Sequence, residues 1–200
     1  MNEERELVRQ AAQEFVEKEV KPQLASMEIE HKYPHQLVRR MGELGYSGWI
    51  YKKEVGGEDG DWVTFGLILE EIGKVSTTLG VLLMLQSTLC SSSIALGGTP
   101  EQVEKWIKPV FEGKKIMAVS HTEPVGITQV PRFQSRARFD AETNEWVISA
   151  HKIFTTGAGE ADIYVVDALT SDFDFKTGKG LSQFVVSADT PGVSAGHLEN

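Results

Sequence analysis

The chain is short of cysteine, short of positive charge and short of long apolar runs, and each shortage removes a class of protein. One cysteine, Cys90, in 200 residues excludes an internal disulfide framework and a site built from several thiolates, and makes a reducing cytoplasm the expected compartment. Twenty lysines and arginines against 29 aspartates and glutamates give a net charge of −9 and a pI near 5.1, a balance that argues against nucleic acid and anionic membrane surfaces as partners. The opening residues Met1-Asn2-Glu3-Glu4-Arg5-Glu6 are acidic and contain no apolar signal region, so no export is expected. The apolar stretch Val81-Leu82-Leu83-Met84-Leu85 gives way to small and polar residues from Gln86 to Ser93, which predicts a buried helix rather than a membrane span. No Gly-x-Ser-x-Gly, Walker loop or dinucleotide glycine fingerprint occurs. His31 and His35 are four residues apart but separated by Pro34 and without a nearby third ligand, so no metal site is expected. Ser120 and His121, adjacent on a predicted strand, point to opposite faces and do not make a nucleophile and base.

What is present is enough apolar content, 40%, for a proper core, in an order that places helices first and strands second. Residues 3–20 predict an amphipathic helix with Leu7, Ala11 and Phe15, and less regularly Val8, Ala12 and Val16, on one side, ending near Pro22. Pro34 sits where a first turn would start, and Leu37, Val38, Met41 and Leu44 extend an apolar face to Gly45. A third helix is read from Val63, Leu67, Ile68 and Ile72, closing near Gly73, with Glu70-Glu71 as helix surface plus one buried contact; a fourth spans about Leu79 to Leu96. Thr99 can cap a last helix with Pro100 in its first turn, ending by Pro109. Strands take over at about Gly113–Ile116.

The strand half begins with Met117-Ala118-Val119-Ser120-His121-Thr122-Glu123-Pro124, an alternating run that must leave the sheet at Pro124, whose ring offers no N–H. A loop over residues 125–131 leads to Gln134–Phe139; after an Asp140–Asn144 turn comes Glu145–Ala150. Lys152-Ile153-Phe154-Thr155-Thr156-Gly157-Ala158 then reads as a strand end carrying an aromatic face and two hydroxyls.

The run Thr122-Glu123-Pro124, with Ser135-Arg136-Ala137, Glu145-Trp146-Val147-Ile148, Lys152-Ile153-Phe154-Thr155-Thr156-Gly157 and Ala161-Asp162, resembles in order the middle domain of the acyl-CoA dehydrogenases. The front half is similar to the same family through Glu54-Val55-Gly56-Gly57, Leu69-Glu70-Glu71-Ile72-Gly73 and Gly98-Thr99-Pro100-Glu101-Gln102 through Lys108-Pro109; the tail continues it in residues 179–186 and Thr190–Val193. The resemblance implies an α+β chain: an N-terminal all-α domain, residues 1–113, then an antiparallel middle β domain, residues 114–200, cut off at Asn200. The family's second helical bundle, with the glutamate that takes the substrate's α-proton, would lie beyond it. No catalytic residue is therefore expected within the chain, which on its own is expected to be inactive, whether as a fragment or as a short natural relative.

The implied cofactor is FAD, since no side chain accepts a hydride. By resemblance Val119, His121 and Thr122 would border the flavin, Thr128 would reach the cofactor pyrophosphate and the acyl-CoA substrate, Phe154 would lie against the ring system, and Thr155 and Thr156 would offer donors near the reactive nitrogen. The family's Thr-Glu-Pro-x-Ala-Gly-Ser-Asp signature continues here as Gly126-Ile127-Thr128-Gln129, and Gly157 replaces an asparagine. Ile127, standing for a glycine, could not readily adopt positive φ, which would weaken the pyrophosphate and CoA contacts. The implied partners are acyl-CoA, an electron-transfer acceptor and further copies of the chain or a chain supplying the absent domain. Two other readings stay open: a non-catalytic structural subunit of the family, and a related flavin oxidase or monooxygenase.

Overall fold

Three helix starts are closed by side chains, one of them the Thr99 start that the sequence marks; the start marked at Pro34 has no side-chain cap. Asp61 accepts from the amides of Val63 (2.9 Å) and Thr64 (3.1 Å) and from the Thr64 hydroxyl, and these bonds hold its carboxyl down to about 2. Ser76 accepts from Leu79 N, and Thr99 and Gln102 form a reciprocal capping box with Pro100 in the first turn. The structure, a computed structural model, describes residues 3–196 and divides into two units, Met1–Met117 and Ala118–Asn200. Met1-Asn2 of the expected leaderless start, and the last four residues of the expected β domain, lie outside the described residues.

The first unit is all helix: α1 (Glu3–Phe15), α2 (Leu24–Glu28), α3 (His35–Glu43), α4 (Trp62–Gly73), α5 (Thr77–Met84), α6 (Ser92–Gly97), α7 (Pro100–Gln102) and α8 (Lys108–Phe111). Two expected endings do not occur. The first helix passes Pro22 and runs on through Glu28, and the last passes Pro109 and reaches Phe111. In both, a π turn immediately precedes: Val16–Val20 before Pro22, Val103–Ile107 before Pro109. The widened turn bonds Lys21 N to Val16 O and Lys108 N to Val103 O, one residue further back than in an α-helix, which relieves the clash between a proline ring and the carbonyl four residues earlier. The inward face of the first helix is also shifted from expectation. Ala12, Phe15, Val16 and Val20 are buried, whereas Leu7 and Ala11 face outward.

Thr77–Gly97 is one helix interrupted by a π turn at Leu85–Leu89; its length and mean hydropathy of 1.7 would suit a membrane, yet half of it is buried inside the chain. It buries Gln86, Ser87 and Ser91, and Gln86 closes both backbone groups of Met117, at 2.7 and 2.9 Å, so it is a core helix of this unit. Cys90 lies wholly buried on it, and burial pushes its thiol up to about 12. α3 approaches backbone closely: a Cβ on Gly42 would fall 2.4 Å from Gly113 N, and Gly113 itself has φ +72°.

The second unit is a five-stranded sheet of β1 (Met117–Ser120), β2 (Arg136–Asp140), β3 (Glu145–Ser149), β4 (Ile163–Leu169) and β5 (Leu181–Ser187). β4 is its hub, bonded to β1, to β2 and, along its full length, antiparallel to β5 from Ile163↔Ser187 to Leu169↔Leu181. β2 and β3 form the hairpin expected around the Asp140–Asn144 turn, Asn144 taking φ +57°. The helical and sheet architecture is as expected; the sheet is mixed rather than antiparallel throughout, because β2 meets β4 in parallel at Arg136↔Leu169.

Candidate functional site

β1 ends at Ser120, short of the break that the sequence places at Pro124, and the chain leaves it through His121-Thr122-Glu123. The expected strand end at residues 152–158 does not form. That segment is irregular, tied to the exit of β1 by one backbone bond, Ile153 N to Thr122 O at 2.9 Å, because Phe154 adopts φ +55° and cannot continue a ladder. Its side chain is 71% exposed. A large aromatic in left-handed backbone and open to solvent contributes little burial, so the surrounding contacts must hold it there.

The contacts of the adjoining backbone are ionic. The Glu123 carboxylate, 1% exposed, accepts from the amides of Gln134 (2.5 Å) and Ser135 (3.2 Å) and from the Lys152 ammonium (2.9 Å). Lys152, whose side chain is 6% exposed, also donates to the His121 carbonyl at 3.0 Å and lies 4.5 Å from the centre of the Phe133 ring. Burial pushes the Glu123 carboxyl up, but the bonds from Ser135, Lys152 and Gln134 together outweigh it and hold the group below the usual carboxylate range. One buried pair thus pins the exit of β1, the approach to β2 and the start of the 152–156 segment.

The sequence-predicted residues divide into one cluster and one outlier. Val119, half-buried on β1, and His121 and Thr122 beyond it share the bonded junction with Phe154, Thr155 and Thr156; the Thr155 hydroxyl donates to Ser120 Oγ at 3.2 Å. Thr128 stands exposed on the 125–131 loop, which reaches this junction through Ile127 O and His121 Nε2, 3.1 Å apart. Among the described residues the hydroxyls of Thr122, Thr128 and Thr156 have no partner. Ile127 is not asked for positive φ, which Gly126 takes at +103°; its branched side chain still stands where the family has a glycine. Reading the sequence missed Glu123, Lys152 and Asp167 as site-building residues. The signals were there: a glutamate immediately before the strand-ending proline, and an aspartate in the otherwise apolar run Ile163–Leu169.

Comparison with known proteins bears on this arrangement. The family model described as acyl-CoA dehydrogenase, N-terminal domain, matches residues 2–114, and that described as acyl-CoA dehydrogenase, middle domain, matches residues 118–200. The chain belongs to the acyl-CoA dehydrogenase family. A short-chain specific acyl-CoA dehydrogenase of Clostridium acetobutylicum is 38% identical over 98% of this chain and 51% of its own length. Among solved structures, butyryl-CoA dehydrogenase from Megasphaera elsdenii superposes with a TM-score of 0.85 at 30% identity, over 96% of this chain and 50% of that one. An acyl-CoA dehydrogenase from Bacillus anthracis complexed with FAD gives 0.89 at 27% identity, over 100% of this chain and 33% of that one. The chain spans about half the length of the curated relatives it matches. Within the family's middle domain, the exposed Phe154 and the Glu123–Lys152 pair sit in the segments from which the resemblance was read.

Proposed function

We propose that these residues are the N-terminal and middle portion of an FAD-dependent oxidoreductase that removes hydrogen from the α and β carbons of an acyl-CoA thioester, with helical and β domains divided near residues 113 and 114. The observation that carries the reading is Phe154: an aromatic ring turned outward on left-handed backbone, two residues from a buried ion pair and at the same junction as Thr122 and Thr156, whose hydroxyls have no partner among the described residues. An exposed ring and free donors fit a flat, polar-edged, largely apolar ligand, and they fit a flavin. When bound, FAD would supply the hydride acceptor that no side chain provides.

The chain's own residues orient and shield. Phe154 would cover one face and exclude water, Val119, His121 and Thr122 would border the ring, and Thr155, held by Ser120, would keep the direction of the 154–156 segment. Thr156 offers a donor at the same edge, and Thr128 offers one to the pyrophosphate and the acyl-CoA. By family resemblance the α-proton goes to a glutamate outside residues 1–200, so this chain alone is inactive. The same resemblance supports an oligomer and an electron-transfer acceptor as partners, and the acidic composition with one buried cysteine supports a cytoplasmic location.

The test is FAD titration of the 200-residue chain with gel filtration, a visible spectrum and mass determination on one sample. Flavin retained by the folded protein, and lost in Phe154→Gly while stability changes by less than about 1 kcal/mol, supports the reading, since glycine relieves the positive φ. A folded chain that keeps no flavin rejects it for these residues.

A further inference from the structure

Asp167 is a carboxylate in the middle of β4, its side chain 4% exposed, on the face that also buries Ile163, Val165 and Leu169. One of its oxygens meets His121 Nδ1; the other, Oδ1, is buried with no partner among the described residues. A buried carboxyl with a free oxygen is costly unless its charge is compensated. Lys152, which also bonds to His121, is committed to Glu123 and the His121 carbonyl. The imidazole edge packs against Phe133, ring centres 5.2 Å apart, so His121 is the only described group that meets the Asp167 carboxylate.

The hydrogen count at His121 is constrained from both ends. A carbonyl oxygen only accepts, so the contact to Ile127 O places a hydrogen on Nε2. Nδ1 then faces a carboxyl: either it too carries a hydrogen, or the carboxyl carries one and donates. In both arrangements the couple holds one proton more than a neutral imidazole and an ionised carboxyl, and is neutral as a whole. We infer that Asp167, acting through His121, is a positioning residue that clasps the 125–131 loop, and with it Thr128, to β4 by means of this shared proton. Its bearing on the cofactor rests on the flavin reading; the clasp itself does not.

The experiment is amide hydrogen exchange by NMR on the flavin-free chain, followed by FAD titration of the same variants. The reporters are Gly126 N, bonded to Glu123 O at 2.7 Å, and Arg132 N, bonded to Gln129 O at 2.7 Å, with the β4–β5 amides as control. Asp167→Leu and His121→Leu are each expected to speed the reporters by at least about tenfold with the control unchanged, and the double variant is expected to be no faster than either. Asp167→Asn should restore slow exchange, since an amide N–H can donate to Nδ1 while Nε2 keeps its hydrogen for Ile127. Unchanged reporters in both leucine variants, additive effects in the double variant, or an Asp167→Asn as fast as Asp167→Leu would overturn the clasp. His121→Leu, at a partly exposed position, decides the matter should Asp167→Leu not fold.

In the titration, FAD affinity at least about tenfold weaker in Asp167→Leu supports the positioning role, and equal affinity overturns it. Absence of FAD binding to the parent chain removes the flavin reading and leaves the exchange result to stand on its own.

Discussion

Two buried glutamates, one in each unit, are held in opposite ways. In the helical unit Glu71 is buried at the edge of an apolar core, and its cations, Arg9 at 2.6 Å and Lys74 at 2.9 Å, remain in part exposed to water. In the sheet unit Glu123 and Lys152 are both enclosed, and between them they hold three pieces of irregular backbone. A regular helix satisfies its own amides and leaves packing to apolar side chains. A chain leaving a sheet has no such internal pairing, so a buried charge takes over the amides that the ladder drops.

If that contrast is right, Lys152→Met is the largest single loss: it leaves Glu123 buried without its cation and should cost about 3–5 kcal/mol, read as a lowered urea midpoint by the fluorescence of Trp146. Adding Glu123→Gln to Lys152→Met should recover part of the loss, because the uncompensated charge is gone. Leu83→Ala probes the other unit through its apolar core, where Leu83 is wholly buried, and should cost about 2–5 kcal/mol in the helical signal of circular dichroism. Glu71→Gln should cost about 1 kcal/mol, because water can reach its partners. A loss at Glu71 equal to that at Lys152 would break the comparison.

Acid gives the finest test. The folded Glu123 carboxyl lies below its ordinary value of 4.5, so its contribution is fully present above that value and is lost as pH falls through the lower folded one. The urea midpoint of the sheet unit should therefore decline from about pH 5 downward, and Glu123→Gln should flatten that slope.

Much of this molecule was legible beforehand for identifiable reasons. Apolar spacing at 3.6 and at 2 residues, the cap Thr99 with Pro100 behind it, and a proline that follows the exit of β1 act over one or two turns of chain. What failed was a rule applied without its geometric escape. Pro22 and Pro109 do not end helices where a π turn moves the opposing carbonyl away. Phe154 reads as a strand residue by propensity, yet it takes left-handed backbone two residues from Lys152, whose ion-pair partner stands 29 residues away.

The sequence by itself determined the helix-then-sheet order, the family, and the segments that carry Val119, Thr122, Phe154 and Thr156, because local periodicity and contiguous motifs carry that information. Only the tertiary structure decided which charges meet. Glu123 with Lys152, and His121 with Asp167 across 46 residues, are chosen by strand pairing and burial, and no local preference of the chain encodes them.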